Sequence, residues 1–540
     1  MSKNTERTML LQGSILALAG IVTKVIGFLY RIPMANLLGN VGNGIYSVSY
    51  GIYNIALTLS SCSMPLAVSK LVSARIARGE KKNARRAFFD ALLLALLAGG
   101  AAALLLHFGA DALEHLYHRP GLAKPLRVLA PTTFVVALLG TFRGWFQGHG
   151  NMVPTAFSQI LEQLVNAVVS VFAAWQLMRL YASSPEVNAY GAAGGTLGTL
   201  AGAAAGLLFV IFLFVRTHPV SRRALPDTAV EDHRLIYREL ILTILPVILS
   251  QTIYQIGYTL DDLIFGNLMA SKGFADAEIS SLQGVFNTQY NQLVNLPVSI
   301  AAAMAASTVP GIVSSLAVGN RKGLRRKITA VLKLNMVIAI PSAIGLSVLA
   351  APLMHLLFTS LGEQEVLAIR LLQTGSSAAV FYALSTITTA ILQASDHMGT
   401  PVRHCAVSLA IHVVMILILL QFTGLGVYAL VIGNVTFPLL ISWLNCRALT
   451  QKLGYRWPIA RTFFVPLVSA AIMAPVTWGS YALPVRFGCP AVLCLPVSVL
   501  LSAAVYGLLI LRLHCFADRQ LLELPLGQAL LSLSKRLEGN

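Results

Sequence analysis

The chain has 540 residues, 56% of them hydrophobic and only 11% charged, with a formal net charge of +18. Its mean hydropathy is +0.73. Soluble domains carry roughly 25% charged residues, so this chain has too little polar surface to coat a soluble globule, which excludes an ordinary cytosolic enzyme and a disordered chain.

The class that remains is an all-α polytopic membrane protein. A bilayer core of about 30 Å needs roughly 20 apolar residues in a helix. Splitting the sequence at Gly, Pro and charged positions predicts fourteen transmembrane helices, at about 9–37, 45–74, 88–109, 126–147, 153–179, 188–215, 240–267, 282–316, 329–356, 366–394, 404–422, 426–446, 462–485 and 490–513. The apolar runs are continuous rather than alternating, so helices are expected and not barrel strands.

Span 1 is too long for the apolar part of a cleaved signal and no small-residue cleavage site follows it, so it reads as a retained helix. Lys24 lies near mid-depth and Arg31 two turns further along, on the same broad face. Ionisable groups inside a span are costly and face a polar cavity or a partner. Two cations so placed suit an anionic group such as a diphosphate, which the guanidinium engages bidentately and the ammonium as a point charge. An internal ion pair, or snorkelling of Arg31 to the outer interface, fits the same residues.

Span 2 carries Tyr46, Tyr50 and Tyr53 at three- to four-residue spacing, a pattern that serves either sugar contact or packing. Lys70 is close enough to its inner end to snorkel. Arg143 in span 4 is expected opposite Glu162 in span 5, as a structural ion pair or as a substrate contact. Span 7 ends in Asp261-Asp262, which suit cation binding, coupling to protons or sodium, pairing with Arg31, or a solvated helix end. Tyr254 and Tyr258 repeat the aromatic spacing there. Pro65, Pro297 and Pro310 are expected to kink spans 2 and 8. Thr423-Gly424-Leu425-Gly426 separates spans 11 and 12.

The loops alternate in charge. Basic loops at 75–87, 216–239, 317–328 and 447–461 fall on one side, with the N-terminal Lys3 and Arg7, when fourteen spans are threaded. The opposite loops hold scattered cations: Arg119, Lys124, Lys272 and Arg486. The positive-inside rule then places both termini in the cytoplasm and accounts for the net charge without a nucleic-acid partner. After span 14 the segment Phe516–Leu537 is amphipathic, as for a helix on the inner membrane surface or a soluble tail. The six cysteines (Cys62, Cys405, Cys446, Cys489, Cys494, Cys515) lack metal-ligand spacing and read as small apolar residues, with Cys489 and Cys494 near enough in sequence to pair. No cofactor or metal is expected.

Two segments recur at nearly fixed offset. Gly79-x-Lys81-Lys82-x-x-Arg85-Arg86 returns 240 positions later as Gly319-x-Arg321-Lys322-x-x-Arg325-Arg326. Gln147 and Met152 return as Gln393 and Met398. The repeat divides the chain into an N-lobe of spans 1–6 (1–216), a cytoplasmic linker (217–239), a C-lobe of spans 7–12 (240–446), spans 13–14 (447–513) and an amphipathic cytoplasmic tail (514–540). Copies of six spans have one orientation, related by an axis along the membrane normal. Two such bundles suggest a central cavity and alternating access.

Arg143-Gly144-Trp145-Phe146-Gln147-Gly148, followed by Met152-x-Pro154-Thr155-Ala156-x-Ser158-Gln159-x-x-Glu162-Gln163, resembles the signature of the polysaccharide biosynthesis/stage V sporulation protein B-like branch of the multidrug/oligosaccharidyl-lipid/polysaccharide exporter superfamily. Leu293-Val294-Asn295-Leu296-Pro297 and Lys24-Val25-Ile26-Gly27-Phe28 are similar to that branch and to the lipid II flippases. The resemblance implies two six-helix lobes with two further helices. It implies a flippase, not an enzyme, in the bacterial cytoplasmic membrane. Its substrate would be an undecaprenyl-diphosphate-linked glycan, lipid II foremost. Lys24 matches the first of two cavity arginines in the lipid II flippases; the second falls on Tyr30, with Arg31 one residue beyond. Gln292 stands where those relatives carry an arginine before the span-8 proline, and Asn166 where the sporulation-like branch often has one. Lys24, Arg31, Tyr50, Tyr53 and Gln292 are thus the expected cavity residues. Asp261, Asp262, Arg143 and Glu162 are the candidates for ion coupling or ion pairing.

Two rivals are weighed. A cation-coupled drug exporter of the same superfamily would have an acidic, aromatic cavity, which Asp261 and Asp262 favour and Lys24 and Arg31 oppose. A membrane glycosyltransferase needs a sizeable loop and a nucleotide site; no loop here exceeds roughly 25 residues.

Overall fold

The computed structural model describes residues 3–61, 63–217, 230–317, 320–522 and 527–538, and every regular element among them is helical. Cys62, Arg222, Arg223 and Gly319 lie outside the described residues. Hydrocarbon offers no partner for a peptide N–H or C=O, so uninterrupted apolar runs close their hydrogen bonds within the helix. Each of the fourteen expected segments lies largely on helix among the described residues, with 45–74, 329–356 and 366–394 each divided between two helices. By length and apolarity alone, ten helices among the described residues suffice to cross a membrane, or eleven if the pair Gly362–Gly375 and Ala378–Ala394, bent by 47°, is one span. The run Leu18–Ala77, which holds the segments expected as spans 1 and 2, counts once in that reckoning.

The chain folds as two compact units, Met1–Thr288 and Gln289–Asn540. The first contains α1 (Lys3–Ser60), α2 (Met64–Ala77), α3 (Lys81–Phe108), α4 (Ala110–Tyr117), α5 (Ala123–Gly148), α6 (Val153–Leu180), α7 (Val187–Thr217), α8 (His233–Ser271) and α9 (Asp276–Gly284). Helix α1 is broken at Gly39, whose φ of 64° and ψ of 178° are open to glycine and costly for other residues. Pro65 does not kink a continuous helix. It sits in the first turn of α2, where its missing N–H is no loss, and α1 ends before it at Ser60.

Helix α7 packs on α6 through Gly194, Gly198 and Gly202, spaced four apart so that one bare face meets the partner backbone. A Cβ on Gly198 would lie 2.5 Å from Ser170 N, and one on Gly202 would lie 2.5 Å from Glu162 O. The start of α8 is tied down by charge. Arg75, 1% exposed, donates from Nε to Glu231 Oε2 at 2.7 Å and from Nη2 to Glu239 Oε2 at 3.0 Å. His233 Nδ1 lies 2.8 Å from Asp90 Oδ1. Arg75 therefore has a packing role beyond its place in a basic loop.

A π-helical turn, Val285–Tyr290, leads from α9 into the second unit. That unit holds α10 (Asn291–Ala317), α11 (Arg321–Val348), α12 (Ala350–Leu357), α13 (Glu365–Gly375), α14 (Ala378–Ala394), α15 (Gly399–Phe422), α16 (Val427–Leu453), α17 (Val465–Arg486), α18 (Ala491–Arg512), α19 (Asp518–Leu522) and α20 (Gly527–Glu538). The segment after α18 folds back onto the unit, with Cys515, Phe516 and Leu521 in its apolar core. Lys333 of α11, 3% exposed, donates to Cys515 O at 2.7 Å and Gln520 Oε1 at 3.0 Å. Burial pushes the Cys515 thiol up to about 11. Cys489 and Cys494 are both free thiols.

Candidate functional site

The first unit gathers most of the expected residues into one polar layer among α1, α5, α6 and α7. Lys24 and Arg31 are both exposed. Between them on α1 lies Gly27, where a Cβ would come within 3.1 Å of Gln163 Nε2, so this stripe looks toward α6. Arg31 lies near Tyr30, Tyr46 and Tyr50. Tyr50 OH lies 3.4 Å from Thr199 Oγ1 of α7, and its ring centroid is 5.4 Å from that of Tyr46. Asn166 of α6 donates to Tyr30 OH at 3.3 Å and accepts from Ser170 Oγ at 2.8 Å. Tyr53 belongs to the packing instead. It is 2% exposed and lies in an apolar cluster with Leu106, Leu122 and Leu126.

Arg143 meets Glu162, as the sequence suggested. Its Nη2 donates to Glu162 Oε2 at 2.7 Å and its Nε to Ser158 Oγ at 2.8 Å, with the two side chains 12% and 29% exposed. The surrounding motif now has a physical reading. Cβ atoms on Gly144 and Gly148 would lie 2.7 Å from Val68 Cβ and Val72 Cβ, so these glycines seat α5 on α2. Trp145 is packed against Phe88, Phe214 and the His149 ring. Ser158 Oγ in turn donates to Thr155 O at 2.8 Å. The motif is a helix-packing device that presents one arginine to α6.

Asp261 and Asp262 are buried, at 8% and 6% exposure, and do not form a solvated helix end. Asp262 Oδ1 accepts from Asn287 Nδ2 at 2.7 Å, and its backbone carbonyl accepts from Gln283 Nε2 at 2.8 Å. Gln283 Oε1 also accepts from Arg119 Nε at 3.0 Å. Arg119 was expected as a scattered loop cation but is 1% exposed. Burial pulls its guanidinium down to about 10 against the opposing pull of Asp262 and Asp276, so it remains a cation at neutral pH. Gln292 is 8% exposed and belongs to the second unit. The side chains of Tyr254 and Tyr258 lie outside the described residues. Lys70 is exposed near the end of α2. Among the described residues no three His, Cys, Asp or Glu side chains stand close enough to hold a metal ion.

Sequence reasoning missed Arg119, Asn166 as a ligand of Tyr30, and the glycine face of α7. Only the last had a visible signal, in the four-residue spacing of small residues.

Comparison with known proteins bears on the whole chain. The family model described as "Polysaccharide biosynthesis protein" matches residues 10–316, more than half of the sequence. Stage V sporulation protein B of Bacillus subtilis (strain 168) is 25% identical over 96% of this chain and 98% of that protein. Lipid II flippase MurJ of the same organism is 27% identical over 76% of each. Among solved structures, lipid II flippase MurJ in an inward closed conformation superposes with a TM-score of 0.64 at 15% identity, covering 92% of this chain and 98% of that one. A multidrug resistance MATE family transporter of the MOP superfamily, inward-facing, also gives 0.64, at 17% identity over 81% and 99%. The fold is therefore the two-lobe helical fold of that superfamily.

Proposed function

The chain belongs to the polysaccharide biosynthesis protein family, and from that premise we propose that it is a flippase carrying an undecaprenyl-diphosphate-linked glycan, lipid II foremost, from the inner to the outer leaflet of the bacterial cytoplasmic membrane. Both termini are cytoplasmic in this reading. The observation that carries it is the cationic stripe of α1. Lys24 and Arg31 stand two turns apart on one helix, and Arg31 lies near Tyr30, Tyr46 and Tyr50. Cations in a membrane helix are costly and face a polar cavity or a partner, and a diphosphate matches this pair in charge and in acceptor geometry.

The protein has no bond to make or break here. A sugar headgroup cannot enter hydrocarbon unaided, because each unsatisfied polar group costs several kcal/mol. The polar layer replaces water around the headgroup, tyrosine rings and hydroxyls accept the sugar, and the isoprenoid tail stays in lipid. Membrane potential biases the step by about 2.3 kcal/mol per net charge per 100 mV.

A second reading is a cation-coupled exporter of small molecules. The buried Asp262, held by Asn287, and the likeness to a multidrug transporter favour it. Reconstituted vesicles separate the two. Fluorescent lipid II should cross with the wild-type chain and not with Lys24→Ala or Arg31→Ala. Normal crossing by both variants removes the cationic stripe from the mechanism. Movement of a different lipid-linked glycan alone changes the substrate. Cation-driven drug uptake without any lipid movement establishes the second reading.

A further inference from the structure

Helix α15, inside the second unit, carries a polar face that the proposed function does not use. His404, Ser408 and His412 recur at every fourth residue, so they stack along one side of the helix, the side that packs on α16. In the reading with cytoplasmic termini, α15 starts at the inner membrane surface, which puts His412 about 12 Å deeper than His404. His404 is half-buried, Ser408 is fully buried and His412 is 2% exposed. Thr388 Oγ1 gives its proton to Leu384 O at 2.7 Å, so it accepts from Asn445 Nδ2 at 3.2 Å. That orients the Asn445 amide, whose Oδ1 lies 2.7 Å from His404 Nδ1. A carbonyl oxygen only accepts, so His404 Nδ1 carries a proton and Nε2 is the nitrogen left to gain or release another. Ser408 Oγ has no hydrogen-bond partner among the described residues, although a helical serine commonly bonds back to the carbonyl one turn earlier. Deeper in, α16 has no side chain at Gly433, and a Cβ there would lie 2.7 Å from His412 Cε1 and 3.3 Å from its Nδ1. Beyond His412 the same face continues as Ile416 and Leu420, both fully buried and apolar. The polar row therefore opens toward the inner surface and stops at His412.

The helices packed on α15 are α16 and α14. Neither α14 nor residues 404–446 contain Asp, Glu, Lys or Arg. The other titratable groups there are Tyr382, whose hydroxyl donates to Asn434 Oδ1 at 2.7 Å, Tyr428, and the thiols of Cys405 and Cys446. Charge gathers only at the inner rim of these helices, in Asp396, Arg403, Arg447 and Lys452, with His397 beside them. We propose that His404, Ser408 and His412 form a proton route from the cytoplasm into the second unit, with His412 as the proton-binding site at its end. A proton arriving at His404 Nε2 makes that ring cationic. Ser408 Oγ takes a proton from it and gives its own to His412, so His404 returns to neutral as His412 gains the charge. The same steps in reverse release the proton. Successive members stand one turn apart, about 6 Å along the axis, a gap that leaning side chains or one bridging water span. A cation on His412 has no carboxylate on α14 or α16 to hold it and is costly at that depth, which suits a proton bound for part of a transport cycle rather than a resting charge. Packing accounts for the His412 ring beside Phe437, at 5.3 Å between centroids. It does not account for a buried hydroxyl without a bond between two histidines.

The inference rests on the transporter reading and its orientation in the membrane but not on its substrate, so its test has one arm without substrate. The full chain, with histidine labelled by nitrogen-15, is studied in lipid nanodiscs by nuclear magnetic resonance. The His412 ring proton should exchange with solvent at least tenfold more slowly in Ser408→Ala and in His404→Asn than in wild type. In the second arm, fluorescent lipid II crosses vesicle membranes with and without an imposed pH gradient. The gradient should change the wild-type rate at least threefold, and His412→Asn should remove that response. If His412→Asn fails to accumulate as folded protein, Ser408→Ala, which deletes a single buried oxygen, takes its place and should reduce the response at least threefold. Wild-type exchange in both Ser408→Ala and His404→Asn overturns the route. A wild-type crossing rate indifferent to the gradient, or a full response in His412→Asn, overturns His412 as its end. No movement of lipid II by the wild-type chain, with exchange slowed in both variants, would reject the substrate and leave the proton route standing.

Discussion

Breaking the Arg143–Glu162 pair distinguishes a structural role from a substrate-binding one. The pair is short, at 2.7 Å, and Arg143 is only 12% exposed, with Ser158 as a second partner. Exposed pairs contribute about 0.2–1 kcal/mol, and removing one partner of a fully buried pair costs about 3–5 kcal/mol. The partial exposure of Glu162, 29%, places this pair between those limits. Glu162→Gln should cost about 2 kcal/mol, because the guanidinium keeps only the Ser158 hydroxyl. Arg143→Gln should cost about 1 to 2 kcal/mol, because water still reaches the carboxylate. The double variant should regain about 1 to 2 kcal/mol of the summed loss, as contacting residues do in such a cycle. Denaturant unfolding in mild detergent, followed by tryptophan fluorescence, reads all four proteins. A coupling below about 0.5 kcal/mol, with lipid transport nonetheless lost in each single variant, would refute the structural role and make the pair a substrate contact.

Three further outcomes follow from packing and burial. Gly198→Leu should prevent α6 and α7 from closing, because even a Cβ would lie 2.6 Å from Asn166 O; overpacking costs about 1–3 kcal/mol or more, seen as a large drop in Tm by thermal shift, while Gly345→Ala, in open space, leaves Tm unchanged. Truncation after Leu513 should strand the buried Lys333 ammonium by removing Cys515 O and Gln520, costing about 3–5 kcal/mol; adding Lys333→Met should restore most of it, and failure of that rescue in thermal unfolding would reject the anchor. The Cys515 thiol, raised to about 11 by burial, should be almost entirely protonated at pH 8 and become nucleophilic only as pH rises toward 11. Iodoacetamide at pH 8 should therefore modify the exposed Cys489 and spare Cys515, as read by peptide mass spectrometry.

The helical class and the position of nearly every helix were legible in the sequence, because hydrocarbon leaves a backbone one choice and long apolar runs announce it. The Arg143–Glu162 pair was legible too, since two isolated charges in neighbouring spans have few alternatives. Other features were not. Arg75 opens a basic stretch and Arg119 is one of the scattered cations of the opposite side, and nothing local tells a topogenic arginine from one that folds inward onto Gln283 or Glu231. Tyr53 shares its spacing with Tyr46 and Tyr50, yet the helix face that packs on Leu106 and Leu122 depends on neighbours distant in sequence. The π turn at Val285–Tyr290 leaves no proline or glycine mark of its own, and the attention drawn by Pro297 pointed about two turns beyond its end.

The most direct measurement is the affinity of detergent-solubilised protein for undecaprenyl diphosphate, by native mass spectrometry, in wild type, Lys24→Gln, Arg31→Gln and the charge-retaining Lys24→Arg. Each lost cation should weaken binding at least tenfold, about 1.4 kcal/mol, with Lys24→Arg near wild type and undecaprenyl monophosphate bound more weakly throughout. Equal affinities across all four proteins would contradict a diphosphate held by the cationic stripe of α1.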